Sequence, residues 1–409
     1  MEPILKSCCG IDVHKSMIKA SIAKGSLDKP PRFFTRTFST MTSDLLKLKD
    51  WLRENDVEAV AMESTGVYWK PIFNILEDEF RVVLANPQYL KKVPGKKSDV
   101  KDSEWIASLL RCGLIPASFI PPRQIRELRE LNRTRRKLVG TMASEKNRIQ
   151  KVLEDANIKL ASVVSKIDGV SSMNMIKALL KKDKLSREEI ADMSRGKLKN
   201  KVDQLVEALN GKVTDHHRFL LSLHLNNIAF LAEQIQEIDN RIEECMIPFR
   251  MEVSLIQTIP GISKTTASAI IAEIGVDMSQ FPTDGHLASW AGMCPGNNES
   301  AGVKKSGKIR KGNSHLKATL TEVAWAASRT KGSAYSAVYN NIAKRRGKKR
   351  ALIALGHRIL LDIYSVLATG EPFVDEGAIA VHQRNLKARQ QSAIRFLEQS
   401  GYTIAKAPA

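Results

Sequence analysis

The stretch G-I-D-V-H-K at residues 10–15 decides how the rest of the sequence is interpreted. Ile11 and Val13 are apolar and β-branched, which predicts a buried strand in the middle of an α/β sheet. Asp12 lies inside this strand, where a carboxylate is costly unless a cation or hydrogen-bond donors meet it. Taken alone, Asp12 fits equally well a functional carboxylate or an acceptor of hydrogen bonds from a nearby turn.

The residues around this strand predict a mixed α/β sheet. Runs of apolar and β-branched residues predict five strands, at about 6–14, 17–23, 33–38, 57–63 and 81–86. Ser43 is predicted to cap a helix between the third and fourth strands, and a second helix is expected at 67–77. Three strands in a meander, followed by strands separated by helices, make a sheet with antiparallel and parallel neighbours.

Three further carboxylates follow at positions that a sheet can bring towards Asp12. Glu63 stands at the carboxyl end of the fourth predicted strand, the edge at which ligand groups gather in open α/β sheets. Asp99 and Asp102 lie at i and i+3 in a helix expected from Ser98 to about residue 111, so they share one face. Each of these two alone is better explained as a negative charge that complements the helix dipole, and it is their occurrence together with Asp12 and Glu63 that favours a site.

Four carboxylates that converge repel one another unless divalent cations lie between them, and oxygen ligands suit Mg²⁺. Two such ions about 4 Å apart stabilise the attacking and leaving oxygens of a phosphodiester displacement. The sequence therefore predicts a ribonuclease-H-like metal site that acts on nucleic acid.

Composition points to the same class of partner. The chain has 409 residues, 43% of them hydrophobic, and a net charge of +20, which indicates a globular protein with a polyanionic partner, most simply nucleic acid. A basic protein of the membrane surface is the less favoured alternative, and we expect no membrane-spanning run and no signal peptide. The five cysteines include no C-x-x-C pair, which predicts reduced thiols in the cytoplasm and no zinc site.

One long helix is predicted from Pro121 to about Asn157, with an apolar stripe and a strongly basic first half. A solvated helix face is the simplest explanation of such charges, but their one-sided excess favours contact with phosphates. The arginines that we select for this contact are Arg126, Arg129, Arg133 and Arg136.

Residues 158–250 predict a separate helical region. Apolar residues recur every seven positions from Leu221 to Ile242, and a second set follows three residues later, which is coiled-coil spacing. This helix is expected to pair within the chain or to join two copies. His224 on the second set is expected to be a packed residue and not a metal ligand.

A further, mainly helical domain is expected at 251–370. The Pro260-Gly261 turn before a helix of small residues resembles a helix-hairpin-helix whose amides could hold a phosphate near Lys264, although small residues also suit tight helix packing. Residues 290–313 are interpreted as a loop, and residues 371–409 as a loose tail. Residues 301–350 carry 14 lysines and arginines and one acid. The basic residues selected from this loop for nucleic-acid binding are Lys304, Lys305, Lys308, Arg310 and Lys311.

The motifs together resemble those of a known family. In the first domain they are G-I-D-V-H-K at 10–15, E-S-T-G-V-Y-W at 63–69 and K-K-S-D-V-K-D-S at 96–103. In the second half they are I-P-G-I-S-K-T-T-A at 259–267, the run from Phe281 to Gly296, N-N-E-S-A-G at 297–302 and K-I-R-K-G-N-S-H-L-K at 308–317. The chain resembles the IS-one-ten family of insertion-sequence transposases, relatives of the Piv DNA invertase, over about residues 6–370.

This resemblance implies a fold and a division of the chain. The expected domains are a RuvC-like DEDD domain with the basic helix at 1–157, a helical or coiled-coil region at 158–250, a transposase domain at 251–370 and a tail at 371–409. It implies that Asp12, Glu63, Asp99 and Asp102 form the carboxylate set with Mg²⁺. The region 158–250 looks longer than is usual for the family.

The resemblance also implies a mechanism and partners. A serine of the second domain would attack the scissile phosphate and form a covalent phosphoserine link to DNA. The motif places this serine at Ser300, but Ala301 separates it from the usual glycine, so Ser306 before Gly307 stays a second candidate. The implied partners are donor and target DNA, a non-coding guide RNA, and further copies of the chain in a dimer or tetramer.

Three rival hypotheses are open. A RuvC-like junction nuclease would use the carboxylates, metal and water without a serine nucleophile. An actin-like ATPase also opens with an aspartate in its first strand, but it needs glycine-rich phosphate loops that the sequence lacks. A scaffold that only binds nucleic acid would show no metal-dependent activity.

Overall fold

The computed structural model describes residues 2–64, 66–90, 102–296, 298–300, 303–306, 309 and 311–403. The chain forms two compact units, Met1–Ile120 and Pro121–Ala409. The expected boundary at 157 falls inside the second unit, because the long basic helix is part of that unit. The expected helix start at Ser98 lies outside the described residues.

The first unit contains a five-stranded mixed sheet, as predicted. Its strands are β1 (Ser7–Val13), β2 (Met17–Lys24), β3 (Arg32–Ser39), β4 (Ala59–Glu63) and β5 (Arg81–Ala85). They lie in the order β3-β2-β1-β4-β5. The pairs β1–β2 and β2–β3 are antiparallel, and the pairs β1–β4 and β4–β5 are parallel. The strand that contains Asp12 is therefore the central one.

Helices cover both faces of this sheet. They are α1 (Thr42–Glu54), α2 (Trp69–Leu76), α3 (Pro87–Leu90) and α4 (Asp102–Arg111). The face with Ile11 packs against α1 and α2 in one buried cluster, and the face with Cys8 packs against α4 in another. Helix α1 begins one residue before the expected cap Ser43, and its N-cap is Met41, which makes no capping hydrogen bond through its side chain. β1 is covered on both sides, which explains its nearly uninterrupted apolar sequence.

The second unit is mainly helical within the described residues. Its helices are α5 (Arg123–Asp155), α6 (Leu160–Val163), α7 (Val170–Leu179), α8 (Arg187–Met193), α9 (Val202–Ala208), α10 (Asp215–Cys245), α11 (Arg250–Gln257), α12 (Lys264–Ile274), α13 (Asp284–Ala291), α14 (Ser314–Ala327), α15 (Ala334–Arg346), α16 (Lys348–Thr369) and α17 (Gly377–Gln399). Short 3-10 turns lie at Gly196–Lys201, Ile247–Phe249 and Met278–Gln280. A two-stranded hairpin, β6 (Asn298–Ser300) and β7 (Val303–Ser306), lies where the sequence predicted a loop.

Helices α5 and α10 run antiparallel along each other. Arg135 near the start of α5 pairs with Asp239 near the end of α10, and Glu145 pairs with His224 further along. Leu221, Leu231 and Ile242 of the heptad pattern are buried, so this pattern marks the packed side of α10. The helix therefore has a partner within its own chain; whether the packing is that of a coiled coil stays a prediction.

The segment between α5 and α10 forms a small cluster of its own. Helices α6 to α9 bury Leu160, Met175, Ile190 and Leu205 against the adjoining ends of α5 and α10. The two ends of the segment meet, because Lys212 N donates to Ala156 O at 2.9 Å. The chain thus enters and leaves this cluster at one place.

Helices α16 and α17 are the last two elements of the second unit within the described residues. By length and composition alone α16 is apolar enough to cross a membrane, whereas no run of that kind was expected. The same helix buries Leu355, Ile359 and Ile363 and packs against α13, α14 and α15, as a core helix does. The expected loose tail contains α17, which is mostly exposed and buries Val381.

Candidate active site

Asp12 and Glu63 lie at the same edge of the sheet. Strands β1 and β4 are parallel neighbours with Ile11 opposite Met62, and each acid is the next residue along its strand. Because side chains alternate along a strand, Asp12 continues the row of Cys8 and shares its face of the sheet. Glu63 likewise continues the row of Ala59 and Ala61, whose cluster also contains Cys8. The two carboxylates therefore share one edge and one face.

Helix α4 lies on that same face and begins at Asp102. A Cβ atom on Gly10 would lie 3.0 Å from Ala107 Cα and closer still to Ala107 N and Ser103 O. The backbones of β1 and α4 thus touch at a position where glycine alone fits. Asp12 is two residues beyond this contact, and Asp102 immediately precedes Ser103.

Hydrogen bonds fix the start of α4 against the sheet. Ser103 Oγ lies 2.8 Å from Ser21 Oγ of β2, and Ser21 Oγ lies 2.8 Å from Thr35 Oγ1 of β3. The Cys8 thiol donates to Ala107 O at 3.4 Å. Ser103 is therefore a buried residue that connects α4 to the sheet by a hydrogen bond.

The donor set fits a hard divalent cation, since carboxylate oxygens are what Mg²⁺ prefers. Asp12 is 22% exposed, and its Oδ2 lies 3.1 Å from His14 Nε2. Asp99, the fourth carboxylate of the predicted set, lies outside the described residues. Within the described part of the chain, no three acidic, histidine or cysteine side chains are close enough to hold one metal ion.

The two candidate serines lie on the β6–β7 hairpin. Ser300 pairs with Val303, Glu299 with Lys304, and Asn298 with Ser306. An antiparallel bridge between Pro295 and Ile309 closes the base of the hairpin. Ser300 is thus at the end away from the base, and Ser306 is nearer to it. Lys304 and Lys305 belong to β7, whereas Lys308 and Arg310 lie outside the described residues.

A buried carboxylate that the sequence analysis missed lies beneath the root of this hairpin. Glu273 of α12 is 4% exposed, and Arg133 donates to both of its oxygens at 2.8 Å. Asn313 Nδ2 donates to Glu273 Oε2 at 2.6 Å. Arg129 donates to the main-chain oxygens of Ala272 at 3.0 Å and Glu273 at 2.7 Å. An acid inside the apolar run A-I-I-A-E-I at 269–274 was the signal for this site.

Burial and neighbouring charges shift the pKa values of Arg129 and Glu273 in opposite directions. Burial lowers the pKa of Arg129 to about 10. Burial by itself would raise the pKa of Glu273, but the hydrogen bonds from Arg133 and Asn313 and the charge of Arg129 hold this pKa below its ordinary value. Glu273 is therefore an ionised carboxylate whose charge is balanced by Arg129 and Arg133.

The other basic residues selected from the sequence make more exposed contacts. Arg126 donates to Pro121 O at 3.1 Å, and Arg136 pairs with Glu322 at 2.8 Å. Lys264 pairs with Glu243 at 2.7 Å, with both side chains about two-thirds exposed at 65% and 64%. Lys311 is exposed. Nucleic-acid binding by the basic residues selected above stays a prediction.

The Pro-Gly turn before α12 is used for packing. Gly261 has a φ of 90°, and a Cβ there would lie 2.8 Å from Val323 O and 2.9 Å from Ala327 N of α14. Ser263 caps α12 by accepting from Thr266 N at 3.3 Å. Close contact between the turn and α14 thus explains the small residues, the alternative that the sequence left open.

The low pKa of Glu273 predicts a specific dependence of stability on pH. Its ionised form is stabilised in the folded state, so its contribution is full above pH 4.5, its ordinary pKa, and is lost as the pH falls through the lower folded value. We expect Glu273→Gln to lower the free energy of unfolding by about 2 kcal/mol at pH 7, because a charge-assisted buried pair is weakened. This difference should narrow below pH 4.5 in urea titrations followed by circular dichroism.

Glu322→Gln is the matched control, since the Glu322 side chain is 72% exposed in its pair with Arg136. An exposed pair contributes about 0–1 kcal/mol, so this variant should remain close to the wild type at every pH. A difference between wild type and Glu273→Gln that stays constant from pH 7 to pH 3 would contradict the prediction.

Comparison with known proteins identifies the class and the family. A transposase model of the DEDD type matches residues 9–158, and this match implies a RuvC-like fold. The matched range contains most of the sheet and the carboxylates selected from the sequence. A second model, described as transposase IS116/IS110/IS902 family, matches residues 253–340, which include Glu273 and the serine hairpin. The chain belongs to the IS110 family of transposases.

Curated relatives match a part of the chain. Pilin gene-inverting proteins of Moraxella lacunata and Moraxella bovis are each 29% identical over 154 residues, covering 36% of this chain and 48% of each relative. The chain thus spans about half the length of these relatives. An uncharacterized protein of insertion element IS110 from Streptomyces coelicolor is 30% identical over 120 residues, covering 28% of this chain and 29% of that protein.

Proposed function

We propose that this protein is a DNA transposase that cleaves and joins strands through a serine–DNA phosphodiester intermediate. The observation that carries the proposal is the position of Asp12 and Glu63 at adjacent ends of β1 and β4, on the face where α4 begins with Asp102. The printed name of the Moraxella relatives, pilin gene-inverting protein, supports a rearrangement of DNA.

Under this proposal the carboxylates hold divalent metal ions. Asp12, Glu63, Asp99 and Asp102 would be the ligands, and Mg²⁺ is favoured because every donor is a carboxylate oxygen. The bound ions would supply positive charge next to the scissile phosphate. His14, 3.1 Å from Asp12, is placed to orient that carboxylate.

The serine of the second unit supplies the nucleophile. The Ser300 hydroxyl oxygen attacks phosphorus, a serine–phosphate ester forms, and the bond from phosphorus to the departing sugar oxygen breaks. The serine proton passes to a base, and the departing oxygen takes up a proton to become a hydroxyl. In the second step, a sugar hydroxyl of the other DNA strand attacks the phosphorus of the serine ester. This attack forms the new DNA phosphodiester and releases the Ser300 hydroxyl. Both reactions conserve the number of phosphodiester bonds.

The proposed partners are donor and target DNA, a non-coding guide RNA, and further copies of the chain in a dimer or tetramer. A net charge of +20 supports binding of more than one polyanion. The large side chains Phe219 and Phe230, 66% and 58% exposed on α10, support contact with another copy. Work on chromosomal DNA would place the protein in the bacterial cytoplasm.

The test is a search for the covalent intermediate. The protein would be incubated with its flanking DNA, the RNA transcribed from those flanks, and Mg²⁺, then denatured and resolved by electrophoresis. We expect a protein–DNA band that requires the metal and is lost in Asp12→Asn, with mass spectrometry locating the attached nucleotide on Ser300. Cleavage that requires metal but leaves no protein attached would favour the junction nuclease. DNA binding with no metal-dependent cleavage would favour a scaffold.

A further inference from the structure

The buried carboxylate of Glu273 is linked to the loop that bears the serine hairpin. Burying a charge is costly unless charge and hydrogen bonds meet it, and here both oxygens are used. Arg133 approaches from α5 with two hydrogen bonds, and Asn313 approaches from the end of the loop with one. Three separate parts of the second unit therefore meet at one side chain.

Asn313 holds two neighbours at once. Its Nδ2 donates to Glu273, and its Oδ1 accepts from the main-chain nitrogens of His315 and Leu316, both at 3.1 Å. The second pair of bonds makes Asn313 the N-cap of α14. An aspartate or serine caps a helix about as well as asparagine, but neither donates through a side-chain nitrogen. Asparagine at 313 therefore combines the helix cap with the bond to Glu273, a combination that aspartate and serine lack.

The residue before Asn313 lies in close backbone contact with the end of α13. A Cβ on Gly312 would lie 2.6 Å from Gly292 Cα, at the end of α13 where the loop departs. The Pro295–Ile309 bridge ties the two sides together further out. The root of the loop is thus held at the Gly292–Gly312 contact, at the bridge, and at the Asn313–Glu273 bond.

We infer that Glu273 and Asn313 are positioning residues for the serine of the β6–β7 hairpin. They fix the return of the loop onto α14 and thereby the direction in which the hairpin projects. Arg133 acts in this arrangement by holding the Glu273 carboxylate towards Asn313. The inference rests on the proposed function and adds to it the residues that aim the nucleophile.

The experiment exchanges Asn313 for two residues that preserve the helix cap. Asn313→Ser caps α14 but loses the bond to Glu273, and Asn313→Asp caps α14 but places a second carboxylate against Glu273. We expect backbone amide exchange in 298–306 to rise in the order wild type, Asn313→Ser, Asn313→Asp. A purely capping role would leave the three proteins alike, since these residues cap equally.

The second measurement is the single-turnover rate of the covalent adduct at saturating DNA. A nucleophile displaced by about 1 Å loses about 100-fold in rate. We expect Asn313→Ser to be about 10-fold slower and Asn313→Asp about 100-fold slower, with the DNA dissociation constant unchanged within about threefold. A loss that appears in DNA binding and not in this rate would overturn the inference.

Ser186→Asp is the control, because Ser186 caps α8 by accepting from Glu189 N, far along the chain from the hairpin. It should change neither the amide exchange of 298–306 nor the adduct rate. Hairpin exchange that is the same in wild type and both Asn313 variants would overturn the inference. If the wild type forms no serine adduct, the proposed function fails, and the exchange measurement still decides whether Glu273 and Asn313 hold the hairpin.

Discussion

Replacing Ser300 by alanine is expected to abolish the covalent protein–DNA link and to reduce strand exchange by more than about 10³-fold, because no other group then forms the ester with phosphorus. DNA binding should be unchanged, since the hydroxyl is one small group in a strongly basic protein. The measurement is a time course of adduct and recombinant product with the Mg²⁺-containing reaction described above.

Ser306→Ala is the matched control on the same hairpin. Ser306 lies opposite Asn298 near the base, whereas Ser300 pairs with Val303 at the far end. We expect Ser306→Ala to retain the adduct. A result in which Ser306→Ala loses the adduct and Ser300→Ala keeps it would transfer the role to Ser306. Full strand exchange in the double variant would exclude a serine nucleophile on this hairpin.

Replacing Gly10 by alanine should have the largest effect on stability. The new methyl group would meet the backbone of Ser103 and Ala107, which cannot rotate away as a flexible side chain could. Helix α4 must then move off the sheet, at an expected cost of about 3 kcal/mol. The melting temperature of the variant should fall by about 10 °C in calorimetry. Because α4 begins with Asp102, metal-dependent activity should fall as well.

The same exchange at Gly140 separates this clash from a general effect of the substitution. Gly140 lies in α5 with nothing within 4 Å of a Cβ placed on it. Alanine there should stabilise the helix by about 0.5–1 kcal/mol, since glycine is a poor helix former. A Gly10→Ala protein that melts with the wild type would show that β1 and α4 do not touch as described.

The strands and the mixed character of the sheet were predictable from local sequence patterns, but the full strand order was not. The apolar and β-branched residues of β1 indicated a central strand, and the helices expected before and after β4 indicated crossover connections. Once β1 and β4 are parallel neighbours, Asp12 and Glu63 reach the same edge without further assumption. The pairing of Ile11 with Met62, which makes Asp12 and Glu63 neighbours, could not be obtained from the sequence alone.

The network around Glu273 could not be predicted because its partners are far apart in sequence. Arg133 and Glu273 are separated by 140 residues, and nothing local marks them as a pair. The arginines of α5 were selected for phosphate contact from their density, yet Arg129 and Arg133 also hold α12 in place. The β6–β7 hairpin was missed because its strands are short and rich in turn formers and lysine. Helix α17 was missed because its apolar residues are scattered among polar ones.

The hydrogen bond between Lys212 and Ala156, where the chain enters and leaves the α6–α9 cluster, has a consequence for how the protein can be altered. The segment between those residues could be replaced by another, because the replacement need only connect the adjacent ends of the antiparallel helices α5 and α10. The stretch lies between the two matched ranges, 9–158 and 253–340, so almost all of it is outside both family models. Replacing this stretch would therefore change the tip of the α5–α10 pair and leave the sheet carboxylates and the serine hairpin unchanged in sequence.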